Sequence, residues 1–273
     1  MTKQPPTGRA ARARLSSVAN SLRLLTSFSG EQNELGITTL ANRLGLAKST
    51  VHRLAATLTG SGFLEQNSET GKYRLGLSLF ELGALVRRRM DVANEARPQL
   101  RELLEKTGET VQLGIIDQSS VLYVYEMESR RAIRMAAAVG ARAPLHCTAV
   151  GKVLLAFQSP DYVKELVDRG LTPYTDNTIT KREALLAVLK DVRARDCAID
   201  DEESEIGLRA IAAPVRNQRG EVIAALGVAA PVQRMTKKVM QSCAPTVVAT
   251  ANAVSQRLGF TPAHAAAEAL EHA

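Results

Sequence analysis

Five carboxylates fall within six positions of the stretch Ala198-Ile-Asp-Asp-Glu-Glu-Ser-Glu-Ile-Gly207. Carboxylates this close could ligate a cation, share a proton for catalysis, or hold a loop. The DxDxDG spacing and distant Glu of an EF-hand are missing, and no partner residue suggests general acid–base chemistry. Asp200 is expected to turn inward as a polar contact of a binding pocket, with the other acids holding the loop or facing water. A variant lacking the Asp200 carboxylate is expected to lose ligand response and keep the chain's other functions. A different chemistry lies in Lys48-Ser-Thr-Val-His-Arg53. Lys48, Ser49, Thr50, His52 and Arg53 gather donors in the first turn and a half of a predicted helix. Ser, Thr and Lys suit phosphate oxygens, and Arg or Lys suits guanine edges. His146, Cys147, Cys197 and Asp200 are ligand types that suit zinc. They carry the alternative reading of a zinc-dependent sensor or metalloenzyme, although nothing in their spacing requires it.

The chain has 273 residues, length for two domains of roughly 150 residues each. Hydrophobic residues make up 45% and mean hydropathy is −0.08, which allows a sizeable core. No apolar run approaches the roughly 18 residues of a membrane helix, and the polar, basic N-terminus lacks the apolar core of a secretory signal. Three widely spaced cysteines indicate neither a disulfide framework nor a zinc ribbon. A cytoplasmic location with reduced thiols is expected. Charge is unevenly placed. Residues 1–90 hold 13 Lys and Arg against 5 Asp and Glu, a balance of +8, while the whole chain stands at +7. The remainder therefore carries about −1. One end is built to meet a polyanion and the other is not.

Residues 1–14, with two prolines and Arg9, Arg12 and Arg14, read as a disordered basic arm able to follow phosphates or enter a minor groove. Val18, Leu22 and Leu25 then fall at helical spacing after serines that could cap a helix. Ile37, Leu40, Ala41 and Leu44 share one helix face, and Gly45 is placed to end that helix. A second helix from Lys48 carries its apolar face on Val51, Leu54, Ala55 and Leu58. Two short helices around a tight turn form a helix-turn-helix, whose second helix reads the major groove with its N-terminal residues. Thr38, on the first helix, is a further expected DNA contact. Strands around Phe63-Leu64 and Tyr73-Leu75 make a basic hairpin, a wing, with Lys72 and Arg74 as phosphate contacts.

These stretches resemble the IclR family of bacterial transcription regulators over nearly the whole chain. Ile37–Leu54, Tyr73–Gly76, Pro144–Ala156 and the acidic run continuing to Val215 carry the likeness. The resemblance implies an α+β protein: a winged helix-turn-helix domain over 15–76, a linker helix over 77–92, and a GAF-like effector domain with an antiparallel sheet over 93–260. A tail, 261–273, follows. It implies a homodimer or homotetramer on a roughly palindromic double-stranded operator, more often a repressor, with a small organic or aromatic acid as effector. By this likeness Ala149, Val150, Asp200, Leu208, Ala210, Gly227 and Ala229 line the effector pocket. Met135 and Gly151 complete the expected set. The chain departs from the family where Ala210 replaces a frequent Cys and where Gly227 and Ala229 replace small polar residues.

The effector half also reads from its own residues. Strands are predicted over Val111–Ile116, Val121–Tyr125, Leu208–Val215 and Val222–Ala229. Helices are predicted over 94–106, Thr148–Phe157, Pro160–Arg169, 181–196 and Thr236–Leu258. The start of the Thr148 helix would offer free amides and a positive dipole end to a carboxylate. Ala210, Gly227 and Ala229 leave volume and few donors, so an effector larger than a two- or three-carbon acid is expected. No GxGxxG, P-loop or HExxH motif is present, so neither a cofactor nor an enzymatic activity is expected.

Overall fold

The computed structural model describes residues 8–28, 32–88, 91–132 and 139–261. The chain divides into two compact units between Arg89 and Met90. Among the described residues no helix is long and apolar enough to cross a membrane.

The first unit opens with helix α1 (Gly8–Leu25), so Arg9, Arg12 and Arg14 lie along a helix and not in the disordered arm expected for 1–14. The physical reason is composition. Ala10-Ala-Arg-Ala-Arg-Leu15 joins the strongest helix formers, whose propensity outweighs their charge. The expected inner stripe also differs. Val18 and Leu22 are exposed, Leu25 packs partly buried against the core, and Leu24 is fully buried. α2 (Ile37–Leu44) and α3 (Lys48–Gly60) bury Leu40, Ala41, Leu44, Val51, Leu54 and Ala55 against Leu24. Gly45 takes φ +66°, the left-handed turn that lets Leu46 N–H donate back to Ala41 and swings the chain into α3. β1 (Leu64–Gln66) and β2 (Tyr73–Leu75) pair antiparallel, and α4 (Leu77–Arg88) follows.

The second unit builds one six-stranded antiparallel sheet in the order β5-β4-β3-β8-β7-β6. Its strands are β3 (Thr110–Asp117), β4 (Ser120–Met127), β5 (Arg142–Ala143), β6 (Ala198–Asp201), β7 (Leu208–Arg216) and β8 (Val222–Pro231). The helices are α5 (Asp91–Thr107), α6 (Ala149–Ala156), α7 (Pro160–Asp168), α8 (Arg182–Arg195) and α9 (Lys237–Arg257). The edge strand β6 had no place in the sequence reading.

Period-two alternation assigns the two faces. Ala224, Leu226, Val228 and Ala230 of β8, with Ile211, Ala213 and Val215 of β7, enter the core with α5 and α9. Ala225 and Ala212 enter the other core with α6 and α8. Ala210 opposes Ala229, and Ala212 opposes Gly227. That face is therefore made of very small side chains, and α6 packs close upon it. A Cβ on Gly114 would stand 2.7 Å from a methyl of Val150 and equally close to one of Val121. A Cβ on Gly227 would stand 3.0 Å from Val150.

Gly114→Ala should therefore lower stability by about 1–3 kcal/mol, the usual cost of overpacking. Urea unfolding measures it. Adding Val150→Ala should recover part of the loss, and an unchanged midpoint for the single variant would contradict this packing.

Candidate functional site

The polar face of α3 is free. Lys48, Ser49, His52 and Arg53 are exposed, and Thr50 is half-buried. Thr38 of α2 is exposed as well. This leaves a convex, donor-rich surface at the start of the second helix of the pair, the part that major-groove readers use. In the wing, Asn67 Oδ1 accepts from Glu69 N–H at 2.9 Å and Thr70 N–H at 3.2 Å, and Gly71 takes φ +66°. Lys72 leaves this turn exposed. Arg74 is also exposed but is committed across the ladder, 2.8 Å from Glu65. Any phosphate must compete with that carboxylate for Arg74.

In the second unit a cavity of about 630 Å³ opens between the sheet face of small residues and the start of α6. Ala149, Val150, Asp200, Leu208, Ala210, Gly227 and Ala229 all lie on its wall. Gly151 does not. A Cβ there would stand 2.6 Å from the Leu145 backbone, so that glycine serves close packing behind the helix start. Met135 lies outside the described residues.

Thr148 caps α6. Its Oγ1 donates to Pro144 O at 2.8 Å and accepts from Gly151 N–H at 3.0 Å. The amides of Ala149 and Val150 have no acceptor among the described residues, and both residues face the cavity. Two unpaired amides at a helix N-terminus make an anion-binding pair. Tyr123, which the sequence reading missed as a site residue, adds a phenol to the wall. Burial first, then the nearby Asp200, raises its pKa, so the hydroxyl remains a donor. Gln112 also reaches the wall, but its amide donates to Glu126 Oε2 at 3.0 Å. Strand alternation could have signalled Tyr123, because it stands opposite Gly114 in the register.

Asp200 is buried and does more than contact the pocket. Its Oδ1 accepts from the amides of Glu203, at 2.8 Å, and Ser204, at 3.3 Å, while Oδ2 accepts from the Ser204 hydroxyl. Burial raises its pKa, and these hydrogen bonds oppose that rise. The remaining acids divide the work. Asp201 accepts from Arg209 Nε at 2.6 Å and pairs with Lys237 at 3.0 Å. Glu202, at φ +59°, accepts from Gly207 N–H at 2.9 Å. Glu203 forms a buried ion pair with Lys152 of α6. Glu205 is exposed on the cavity rim. The run is a loop fastening, and the expectation that losing the Asp200 carboxylate spares everything but ligand response needs correction.

The zinc constellation does not assemble. His146 Nε2 lies 3.0 Å from Thr172 O, and Cys147 is buried with its thiol pushed up to about 12, mainly by burial. Cys197 faces other residues, near α9. Among the described residues no three His, Cys, Asp or Glu side chains group as a metal site.

Asp200→Ala strands three donors in a buried loop, so urea unfolding should show a loss of about 1–3 kcal/mol. Stability equal to the parent protein would mean that the loop is held elsewhere.

The comparisons with known proteins agree with both halves. Residues 17–68 match the IclR helix-turn-helix domain, and residues 84–256 match the bacterial transcriptional regulator IclR C-terminal model. The HTH-type transcriptional regulator KdgR of Escherichia coli (strain K12) is 40% identical over 232 residues, covering 85% of this chain and 88% of that one. The transcriptional repressor IclR of the same strain is 31% identical over 252 residues, covering 91% and 92%. A crystal structure of an IclR homolog from Microbacterium hydrocarbonoxydans, complexed with 4-hydroxybenzoate, aligns at TM-score 0.79 and 26% identity over 89% of this chain and 98% of that one. The family is one of regulators and not of enzymes. The chain therefore belongs to the IclR family: a DNA-binding transcriptional regulator with an N-terminal helix-turn-helix and an effector-binding C-terminal domain.

Proposed function

We propose that this regulator is a repressor whose operator affinity is set by an aromatic or other bulky organic acid bound in the cavity beside α6. One observation carries the reading: two unpaired amides at the start of α6 open into about 630 Å³ of space walled by Ala210, Gly227 and Ala229. The amides and the helix dipole suit a carboxylate, and the small side chains leave room for a ring. Asp200 does not repel such a ligand strongly, because three donors of its own loop already occupy its oxygens. The neighbour complexed with 4-hydroxybenzoate supports this class of ligand.

On the DNA side, Lys48, Ser49, Thr50, His52 and Arg53 read the major groove, with Thr38, Lys72, Arg9, Arg12 and Arg14 on phosphates. Arg74 contributes only if DNA draws it from Glu65. A homodimer places two α3 helices about 34 Å apart on a roughly palindromic operator. Val18 and Leu22 of α1 and Leu77, Phe80 and Leu85 of α4 are apolar and at least 55% exposed, which suits burial against a second copy. The effector favours one arrangement of the dimer and so shifts DNA affinity.

Fluorescence anisotropy with the chain's own upstream DNA tests the reading. Affinity should fall about a thousandfold between roughly 50 and 200 mM salt if about six phosphates are neutralised. Benzoate should change that affinity, while benzamide, which lacks the charge, should not. A flat salt response would remove the DNA assignment of α3, and equal action by benzamide would remove the carboxylate assignment. Separately, Phe80→Glu should shift sedimentation toward monomer at concentrations where the parent protein is dimeric. An unchanged profile would place the dimer contact elsewhere.

A further inference from the structure

A second cavity, of about 770 Å³, lies at the β6 edge of the sheet between α8 and α9. Its walls include Val192 of α8 and Ala244, Pro245 and Val248 of α9, and its floor includes Lys152 and Glu203. The floor is the buried ion pair, and it is incompletely satisfied. Glu203 Oε1 meets Lys152, but Oε2 is buried with no hydrogen-bond partner among the described residues. A buried carboxylate oxygen without a donor is costly, and a ligand able to supply one gains that energy. The other charges on the wall, Asp191 and Arg195, pair with each other at 2.9 Å. The lining therefore carries no excess of either sign.

We infer that this cavity is a second ligand site, distinct from the acid site, for an uncharged hydroxyl compound with an apolar body. A hydroxyl suits the floor because, once the buried Glu203 carboxylate turns toward the cavity, it can donate to Oε2 while accepting from the Lys152 ammonium. A carboxylate would meet Glu203 with like charge, and an amine could not accept from Lys152. The apolar walls take the hydrocarbon body. The two sites do not overlap. Asp200 and Ser204 line the first cavity and Glu203 the second, with the ion pair standing at the latter's floor.

Because Lys152 and Glu203 also fasten the loop of the first site, the test leaves them unchanged. Full-length protein with 13C-labelled valine methyls is titrated with cyclohexanol, and separately with methoxycyclohexane, which lacks the donor. Saturable shifts of the Val192 and Val248 methyls are expected with cyclohexanol, and at least about tenfold weaker binding of the ether. Saturating benzoate should leave the cyclohexanol affinity within about twofold, since the acid occupies the other cavity. Ala249→Phe, on the exposed side of α9 and on the cavity wall, should weaken cyclohexanol by about tenfold or more and leave benzoate binding unchanged. No saturable shift of these methyls, equal binding of alcohol and ether, or direct displacement of cyclohexanol by benzoate would each overturn the assignment. So would full cyclohexanol affinity in a folded Ala249→Phe protein.

Discussion

The ion pair between Lys152 and Glu203 is the interaction on which the C-terminal unit turns. The two side chains are 2% and 11% exposed, so each charge depends on the other for most of its stabilisation. Removing one partner from such a pair strands the other in a low-dielectric interior, a cost of about 3–5 kcal/mol in comparable systems. Lys152 belongs to α6 and Glu203 to the loop between β6 and β7. The pair therefore ties a helix to an edge of the sheet through side chains distant in sequence. Burial raises the pKa of Glu203 and the Lys152 charge opposes that rise, as expected of an acid kept ionised by its partner.

The rest of the acidic run is arranged around this tie. Asp200 fastens the amides of Glu203 and Ser204, which orients Glu203 toward Lys152. Thr175 and Thr178 donate to the carbonyls of Glu202 and Glu203 at 2.6 Å, holding the same loop from the opposite side. The negative charge of the stretch is thus largely consumed in structure. What remains open is the backbone at the start of α6, where Thr148 satisfies the amide of Gly151 and those of Ala149 and Val150 have no acceptor among the described residues. A loop rich in acids and a helix start suited to an anion can coexist only because the acids already have donors.

Much of this was legible in the residues, and the failures have physical causes. The helix-turn-helix was readable because periodicity, Gly45 and the donor run at Lys48 all pointed the same way. The sheet strands were readable from runs such as Val111–Ile116 and Val222–Ala229. Val18 and Leu22 were misplaced because helical spacing identifies an apolar stripe but not what covers it. Leu24 took the inner position. The helical character of Ala10–Leu15 was hidden by a charge count that ignored propensity. The short strand β6 was invisible because its Asp200 and Asp201 disfavour strands in isolation, and its pairing with Ala210 and Arg209 is a tertiary matter. Gly151 was assigned to the pocket for its place at the helix start and its small size, whereas that small size serves the Leu145 backbone behind it. The Lys152–Glu203 pair, 51 positions apart, left no local signal.

The proposed function requires the first turn of α6 to receive the carboxylate of the effector. Amide NMR of 15N-labelled protein during a benzoate titration addresses it directly. The account predicts that the Ala149 and Val150 N–H resonances move downfield and saturate together, as expected for amides gaining a charged acceptor. Saturable binding of benzoate that leaves these two resonances in place would contradict it.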